Sequence, residues 1–304
     1  MTSFASLTAP PGAPRTAATG VSAAFGTFGE LLQGRLPEDD GDFLVTLPVA
    51  RWSVARFELR PHSPEIHVRP AHKRKALRLT SMILEDEGLT AGGLLRIDST
   101  LPEGKGLASS SADLVATARA VGNALGTPMP ASRIEAYLAR IEPTDGVLYP
   151  SIVAYHHRSV RLRATLGSLP SMAVVGVDEG GEVDTVAFNS IPKPFTAADQ
   201  REYARLLDRA TVAVARRDLA EVGRVATASA WMNQDLRPKR FLEPMSAIRE
   251  AAGGLGVVVG HSGTTVGVLL EMGTPDASAR LASVAQACQE LAGNVAIYRT
   301  LSFD

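Results

Sequence analysis

The segment that most limits what this chain can be is Pro102-Glu103-Gly104-Lys105-Gly106-Leu107-Ala108-Ser109-Ser110-Ser111-Ala112. Before it, Leu94 to Ser99 reads as a strand; after it, Leu114, Ala118, Val121 and Leu125 share one helical stripe that Gly126 ends. Strand, glycine loop and helix start thus follow one another within a few residues. Glycines 104 and 106 let backbone approach a ligand closely, and the helix start aims free N–H groups and a positive dipole end into the loop. A phosphate suits that setting, with Lys105 as an added cation and a serine hydroxyl for the Mg²⁺ that accompanies a nucleotide. A helix cap with spare serines would be spelled the same way.

Rival motifs fail. A P-loop needs glycine where Ser99 stands and a hydroxyl residue where Gly106 stands. A dinucleotide fingerprint around Gly254-Leu255-Gly256 breaks at Val259, and a hydrolase elbow at Gly260-His261-Ser262-Gly263 has Thr264 in place of the glycine it requires.

The rest of the chain sets the context. Its 304 residues suffice for two domains, and 45% hydrophobic with 21% charged residues exclude disorder over most of the length. The 31 basic and 32 acidic side chains cancel to −1, so no broad basic field exists for a nucleic acid or an anionic membrane. The one cysteine, Cys288, fits a reducing, cytoplasmic setting. No apolar run approaches the ~18 residues of a membrane span, and the first residues lack a secretory pattern.

Residues 1–19 read as a flexible lead. Strands are expected at Gly20–Gly26, Phe43–Leu47, Trp52–Arg60 and Glu65–Arg69, then a helix from Ala71 to Glu87. Ser132 and Glu135 spell a capping box for a helix that Pro143 closes. Beyond residue 166 the pattern restarts with strands Met172–Val177 and Val183–Phe188 and helices Ala197–Arg216 and Leu219–Met232. Strands Gly256–Gly260 and Thr264–Leu270, a helix opened by Pro275 and a strand near Val295–Thr300 complete it. Strands and helices mix without regular alternation, which predicts an α+β fold divided into 20–165 and 166–304.

The Pro102–Ala112 segment resembles the nucleotide loop of the GHMP kinases, P-x-x-x-G-L-G-S-S-A-A, with Ala108 in place of the third glycine and Ser111 in place of the first alanine. Further segments resemble the L-threonine kinase branch, which supplies threonine phosphate for cobalamin. They are Gly29-Glu30-Leu31-Leu32-Gln33-Gly34, Glu142-Pro143-Thr144-Asp145-Gly146, and Ser229-Ala230-Trp231-Met232-Asn233-Gln234 with Pro238-Lys239. His261-Ser262-Gly263-Thr264 sits where the family has its C-terminal glycine loop. The resemblance implies a GHMP fold, a ribosomal-protein-S5-domain-2-like N-terminal domain followed by a ferredoxin-like one. It also implies ATP and Mg²⁺ as cofactors and phosphoryl transfer to the hydroxyl of L-threonine or a near relative. Homoserine, serine or a specialised-metabolite alcohol is an alternative acceptor, and a non-catalytic nucleotide sensor is the rival of another class.

The same resemblance assigns roles. Pro102, Gly104, Lys105, Gly106, Leu107, Ala108, Ser109, Ser110 and Ser111 bind nucleotide, Ser110 and Glu142 hold the metal, and Asp145, aided by Lys105, acts on the acceptor hydroxyl. Thr27, Glu30, Gln33, Asp145, Tyr149, Asn233 and Gly263 are the candidate substrate contacts, Glu30 for an amino group. Thr27 stands in the region where many relatives carry a lysine. Local readings stay open: Asp145-Gly146 as a turn, Glu142 as a solvated helix end, Gln33 and Asn233 as backbone caps, Tyr149 and Trp231 as packing residues. The run Lys73-Arg74-Lys75 reads as a solvated helix face, with a minor role near the adenine and ribose as the other option. The histidines form no convincing metal site. The implied partner is a small molecule, on a monomer or homodimer.

Overall fold

The computed structural model describes residues 17–181 and 194–304, so the strand expected at 183–188 and most of the lead lie outside the described residues. The chain forms β1 (Thr19–Arg35), β2 (Asp42–Arg60), β3 (Ile66–Arg69), α1 (Arg74–Asp86), β4 (Gly92–Ser99), α2 (Ser109–Leu125) and α3 (Ala131–Leu138). There follow β5 (Ile152–His156), β6 (Arg161–Gly167), β7 (Met172–Asp178), α4 (Ala197–Arg216), α5 (Leu219–Met232) and α6 (Leu242–Ala251). The last elements are β8 (Gly256–Val259), β9 (Thr265–Glu271), α7 (Ala277–Ala292) and β10 (Ala296–Arg299).

One sheet runs β10-β7-β9-β8-β1-β2-β4-β3, with β5 branching from β2 and carrying β6. Its pairings are antiparallel except for β3 with β4. The mixture without regular alternation agrees with the α+β expectation. A parallel pair needs a crossover, and α1 is that crossover. Because both strands end on the same side, the start of α1 and the loop after β4 come out together. The lysines of 73–75 are thereby delivered to the glycine loop, a neighbourhood no linear spacing displays.

β1 is longer than Gly20–Gly26 because bulges, not a break, interrupt it. Its register against β2 shifts between Phe25 and Gly26, between Thr27 and Glu30, and between Glu30 and Leu32, and such shifts bend a strand and re-aim its side chains. At the bend, Thr27 N–H donates to Leu107 O at 3.2 Å and Gly29 N–H to Gly106 O at 3.1 Å. Gly29 lies at φ +52°, where an added Cβ would stand 2.1 Å from Val259 O. Strand β1 therefore carries the glycine loop on one side and meets β8 on the other, through the pair Glu30 with Val259.

Helix α2 packs on β1 and β2. The expected stripe of Leu114, Val121, Ala118 and Leu125 is buried, but so are Ser109, Ser111, Asp113 and Thr117 around the rest of the helix; a helix covered on all sides is a core element. Helices α6 and α7 cover β7, β8 and β9 in a second apolar cluster. The Ser132–Glu135 box does not form. Pro130 is the N-cap of α3, and Glu135 Oε1 instead accepts from Tyr149 Oη at 2.8 Å and Leu162 N–H at 3.1 Å.

Candidate active site

A cavity of about 380 Å³ opens between the start of α1, the glycine loop, the start of α2 and the segment 142–145. That volume lies in the range of small-molecule sites. Gly104, Gly106, Leu107, Ala108, Ser109 and Ser110 line it, as do Glu30, Glu142 and Asp145. The loop holds its shape through backbone: Gly104 and Gly106 sit at φ +69° and +81°, and Ala108, the N-cap of α2, at +56°. Gly263 packs behind it, where an added Cβ would lie 2.1 Å from Lys105 O and 2.2 Å from Gly106 N.

The opposite wall is acidic. Glu142 is buried, with one carboxylate oxygen accepting from Ser110 Oγ and the other from Lys75 Nζ. Asp145 N–H donates to Ser111 Oγ at 3.1 Å. Burial first, and then the charge of Glu142, push the Asp145 carboxyl up to about 6, against a smaller opposing hydrogen bond from Ser111. Glu30 is 3% exposed and its Oε2 has no hydrogen-bond partner. Burial and the nearby Asp145 charge hold it well above the usual carboxylate range. A buried acceptor of this kind is costly unless paired, and here it faces a cavity.

Several assigned residues stand elsewhere. Lys105 is turned from the cavity: its Nζ pairs with Asp178 Oδ2 at 2.7 Å and donates to Gly181 O at 2.6 Å. Pro102, Ser111, Thr27, Gln33, Tyr149, Asn233 and Gly263 do not line the cavity. Asn233 Nδ2 donates to Gln33 O at 2.9 Å and to Ser229 O at 2.8 Å, while Gln33 N–H donates to Ser229 Oγ at 3.0 Å, so that this trio ties α5 to β1. Gly263 O accepts from Arg237 Nε at 3.2 Å and from the buried Lys239 Nζ. Burial, then Arg237, lowers that ammonium to about 8. Tyr149 packs near Tyr155, whereas Trp231, read as a packing residue, is 46% exposed.

The sequence reading missed other cavity residues. Lys73, Arg74 and Lys75, read as a solvated face with a role at the nucleotide as the other option, line it, although Arg74 and Lys75 stay exposed. Lys73 Nζ bonds Asp113 Oδ2 at 2.6 Å and Glu103 Oε1 at 2.5 Å. Burial works against that ammonium, yet these bonds outweigh it and leave its pKa raised. His261 and Ser262 also line the cavity, with the His261 ring 4.6 Å from that of His157. Three cations in a row beside a histidine were the available signal, and a charge run alone does not say which surface it faces.

The donor set fits Mg²⁺. That ion is commonly held by one or two carboxylates together with phosphate oxygens and water, and Ser110 with Glu142 supplies such a partial set next to a helix start suited to phosphate. Among the described residues no group of three or more His, Cys, Asp or Glu is placed to hold a metal, so the remaining ligands would come from nucleotide and water. No helix among the described residues is long and apolar enough to cross a membrane.

Comparison with known proteins agrees with this architecture. Residues 74–150, from the start of α1 through the acidic wall, match the family model of the GHMP kinases N terminal domain. L-threonine kinase of Citrobacter freundii is 27% identical over 253 residues, covering 82% of this chain and 85% of its own. L-threonine kinase of Salmonella typhimurium is 25% identical, with 80% of each chain covered. The crystal structure of homoserine kinase from Cytophaga hutchinsonii superposes with a TM-score of 0.70 over 99% of this chain and 98% of its own, at 16% identity. With the match to the GHMP kinases N terminal domain falling on the cavity and the likeness in fold running the length of the chain, the protein shares the fold of the GHMP kinases and resembles L-threonine kinase.

Proposed function

We propose that this ATP-dependent phosphotransferase passes the γ-phosphoryl group to the side-chain hydroxyl of L-threonine or a closely related hydroxy amino acid. The observation that carries the reading is the meeting, in one cavity, of the α2 start with two unlike carboxyls: Asp145, and the deeply buried Glu30. An acceptor needs a hydroxyl near the phosphate and, to satisfy Glu30, a cationic group; an amino acid bearing an alcohol has both. The two L-threonine kinase relatives support threonine as that acceptor.

Phosphoryl transfer is mostly positioning and charge neutralisation. The N–H groups at the start of α2 would cradle phosphate oxygens, and Ser110 and Glu142 would hold Mg²⁺. When bound, Mg²⁺ supplies neutralisation of charge on the phosphoryl oxygens. Asp145 orients the acceptor hydroxyl and takes its proton, a task served by a carboxyl lifted toward neutrality. Glu30 receives the substrate ammonium, whose charge offsets the burial of the carboxylate. Lys105, paired with Asp178, anchors the loop instead of touching substrate. A reducing cytoplasm suits the buried Cys288 thiol.

The test is ADP release with Mg²⁺ and ATP across L-threonine, L-serine, L-homoserine, D-threonine and simple amino alcohols, with phosphorus NMR of the product. Preference for L-threonine, giving its O-phosphate, is the expected result. Preference for another alcohol keeps the chemistry and moves the acceptor; ATP binding with no turnover of any alcohol removes the reading.

A further inference from the structure

The oxygens of Glu142 are shared between two unlike donors. Ser110 belongs to the start of α2, while Lys75 reaches over from the first turn of α1. Lys75 and its neighbour Lys73 have different surroundings. Lys73 is held by two carboxylates and its side chain is 12% exposed; Lys75 is paired with Glu142 and its side chain is 48% exposed. A half-exposed lysine on a flexible stem can re-aim its ammonium within the cavity it lines. A divalent ion on Glu142 needs an oxygen that Lys75 covers. The lysine and the metal are therefore rivals for one carboxylate.

Charge is the second half of the argument. A nucleotide brings several negative charges into a cavity walled by Glu30, Glu142 and Asp145, and Lys105 is committed to Asp178 outside it. Thr27 is buried and uncharged. Lys73 is committed to Asp113 and Glu103, which leaves Lys75, among the described residues, as the cavity lysine whose charge can be redirected onto phosphate.

We propose that Lys75 competes with the divalent cation for Glu142 and, once displaced, binds the phosphoryl oxygens of the nucleotide as a mobile cation of the cavity, beside the exposed Arg74. This rests on the kinase reading but not on the identity of the acceptor. Two properties follow with opposite signs. Removing the ammonium frees Glu142 for the metal in the absence of nucleotide, yet weakens the hold on nucleotide.

The experiment uses Lys75→Met in the full chain, with Lys75→Arg as the charge-retaining control and a thermal melt to establish folding. Mn²⁺ binding without nucleotide, followed by electron paramagnetic resonance, should tighten about two- to fivefold in Lys75→Met, the scale of a partly exposed ion pair. ATP binding, measured without any acceptor, should weaken about tenfold or more, the scale of a charge-assisted contact. Lys75→Arg should restore ATP binding in large part. Weaker Mn²⁺ binding in Lys75→Met would mean that the lysine merely holds Glu142 in place and would overturn the proposal, as would unchanged ATP binding. If the melt shows Lys75→Met unfolded, both measurements move to Lys75→Gln, where the same two shifts support the proposal and the same two failures overturn it. Because neither measurement contains an acceptor, failure of L-threonine to react leaves the role of Lys75 standing. Normal turnover with neither shift removes that role alone.

Discussion

The two walls of the cavity are built from different materials. The wall proposed for the nucleotide is backbone: glycines at positive φ, a helix start, and Gly263 pressed against Lys105 and Gly106. The wall proposed for the acceptor is side-chain charge: Glu30, Glu142 and Asp145, carboxyls close enough that Asp145 raises Glu30 and Glu142 raises Asp145. Backbone binds a ligand that always looks the same, since every nucleotide presents the same phosphates, and its geometry is fixed by folding. Crowded carboxyls destabilise one another until a cation or a proton arrives, which makes the second wall responsive to what enters. The first wall should therefore fail by crowding, and the second by loss of charge.

Asp145→Asn is the strongest test, because it removes the charge while keeping the shape of the side chain. Loss of the group that handles the acceptor proton should lower kcat about 10²- to 10⁴-fold, with ATP binding retained. Stability should move the other way. The folded carboxyl keeps its proton up to about pH 6, while its ordinary value is 3.8. Between those values the folded state binds more protons than the unfolded one, so this group's contribution to stability falls as pH rises through the window and stays at its lowest above it. Asparagine removes that penalty, and the variant should gain about 1–2 kcal/mol at pH 7 in urea unfolding without metal. Wild-type kcat/KM should rise as pH passes through about 6. An Asp145→Asn protein with full rate would end the assignment.

Gly263→Ala tests the other wall. The new Cβ would fall within 2.2 Å of the Lys105 and Gly106 backbone, and backbone cannot rotate aside as a side chain can. Crowding of this sort costs about 1–3 kcal/mol. Calorimetry should show that loss together with weaker ATP binding, and the pH dependence of kcat should stay as in the wild type. If instead the pH profile moves and ATP binding holds, the two walls are not separable.

The same division explains what could be read from the sequence. The glycine loop, Ser110 and Asp145 lie in short segments whose residue types are dictated locally, and α4 and α5 begin and end where their apolar spacing places them. The helix α6 escaped notice because only Leu242 and Met245 are buried in it, too few to mark an apolar stripe. β5 escaped because all five of its residues are buried, which erases the alternation that marks a strand. Gly263 was expected to touch substrate, but a glycine in a loop does not reveal whether it faces ligand or backbone. Lys75 depends on the parallel pairing of β3 with β4, which brings two helix starts together from residues far apart in sequence. Long-range topology, not local preference, set these positions.

The smallest effect concerns Ala108, where this chain departs from the glycine of the family pattern. At φ +56° and ψ 30° it is left-handed, a conformation costing an L-residue roughly 1–2 kcal/mol. Glycine would relieve that strain but lose about 0.5–1 kcal/mol to its freer unfolded chain, and the buried methyl would be given up as well. Before the methyl is counted, the balance favours Ala108→Gly by about 0.5 kcal/mol, with ATP binding unchanged, because the Ala108 carbonyl still accepts the Ala112 N–H. Paired urea titrations resolve a difference of that size. Destabilisation by about 1 kcal/mol or more would instead show that the methyl, packed against the core beneath the loop, outweighs the strain. In that case the nucleotide wall would owe part of its shape to a side chain, and the contrast with the acceptor wall would narrow at the point where the loop becomes helix.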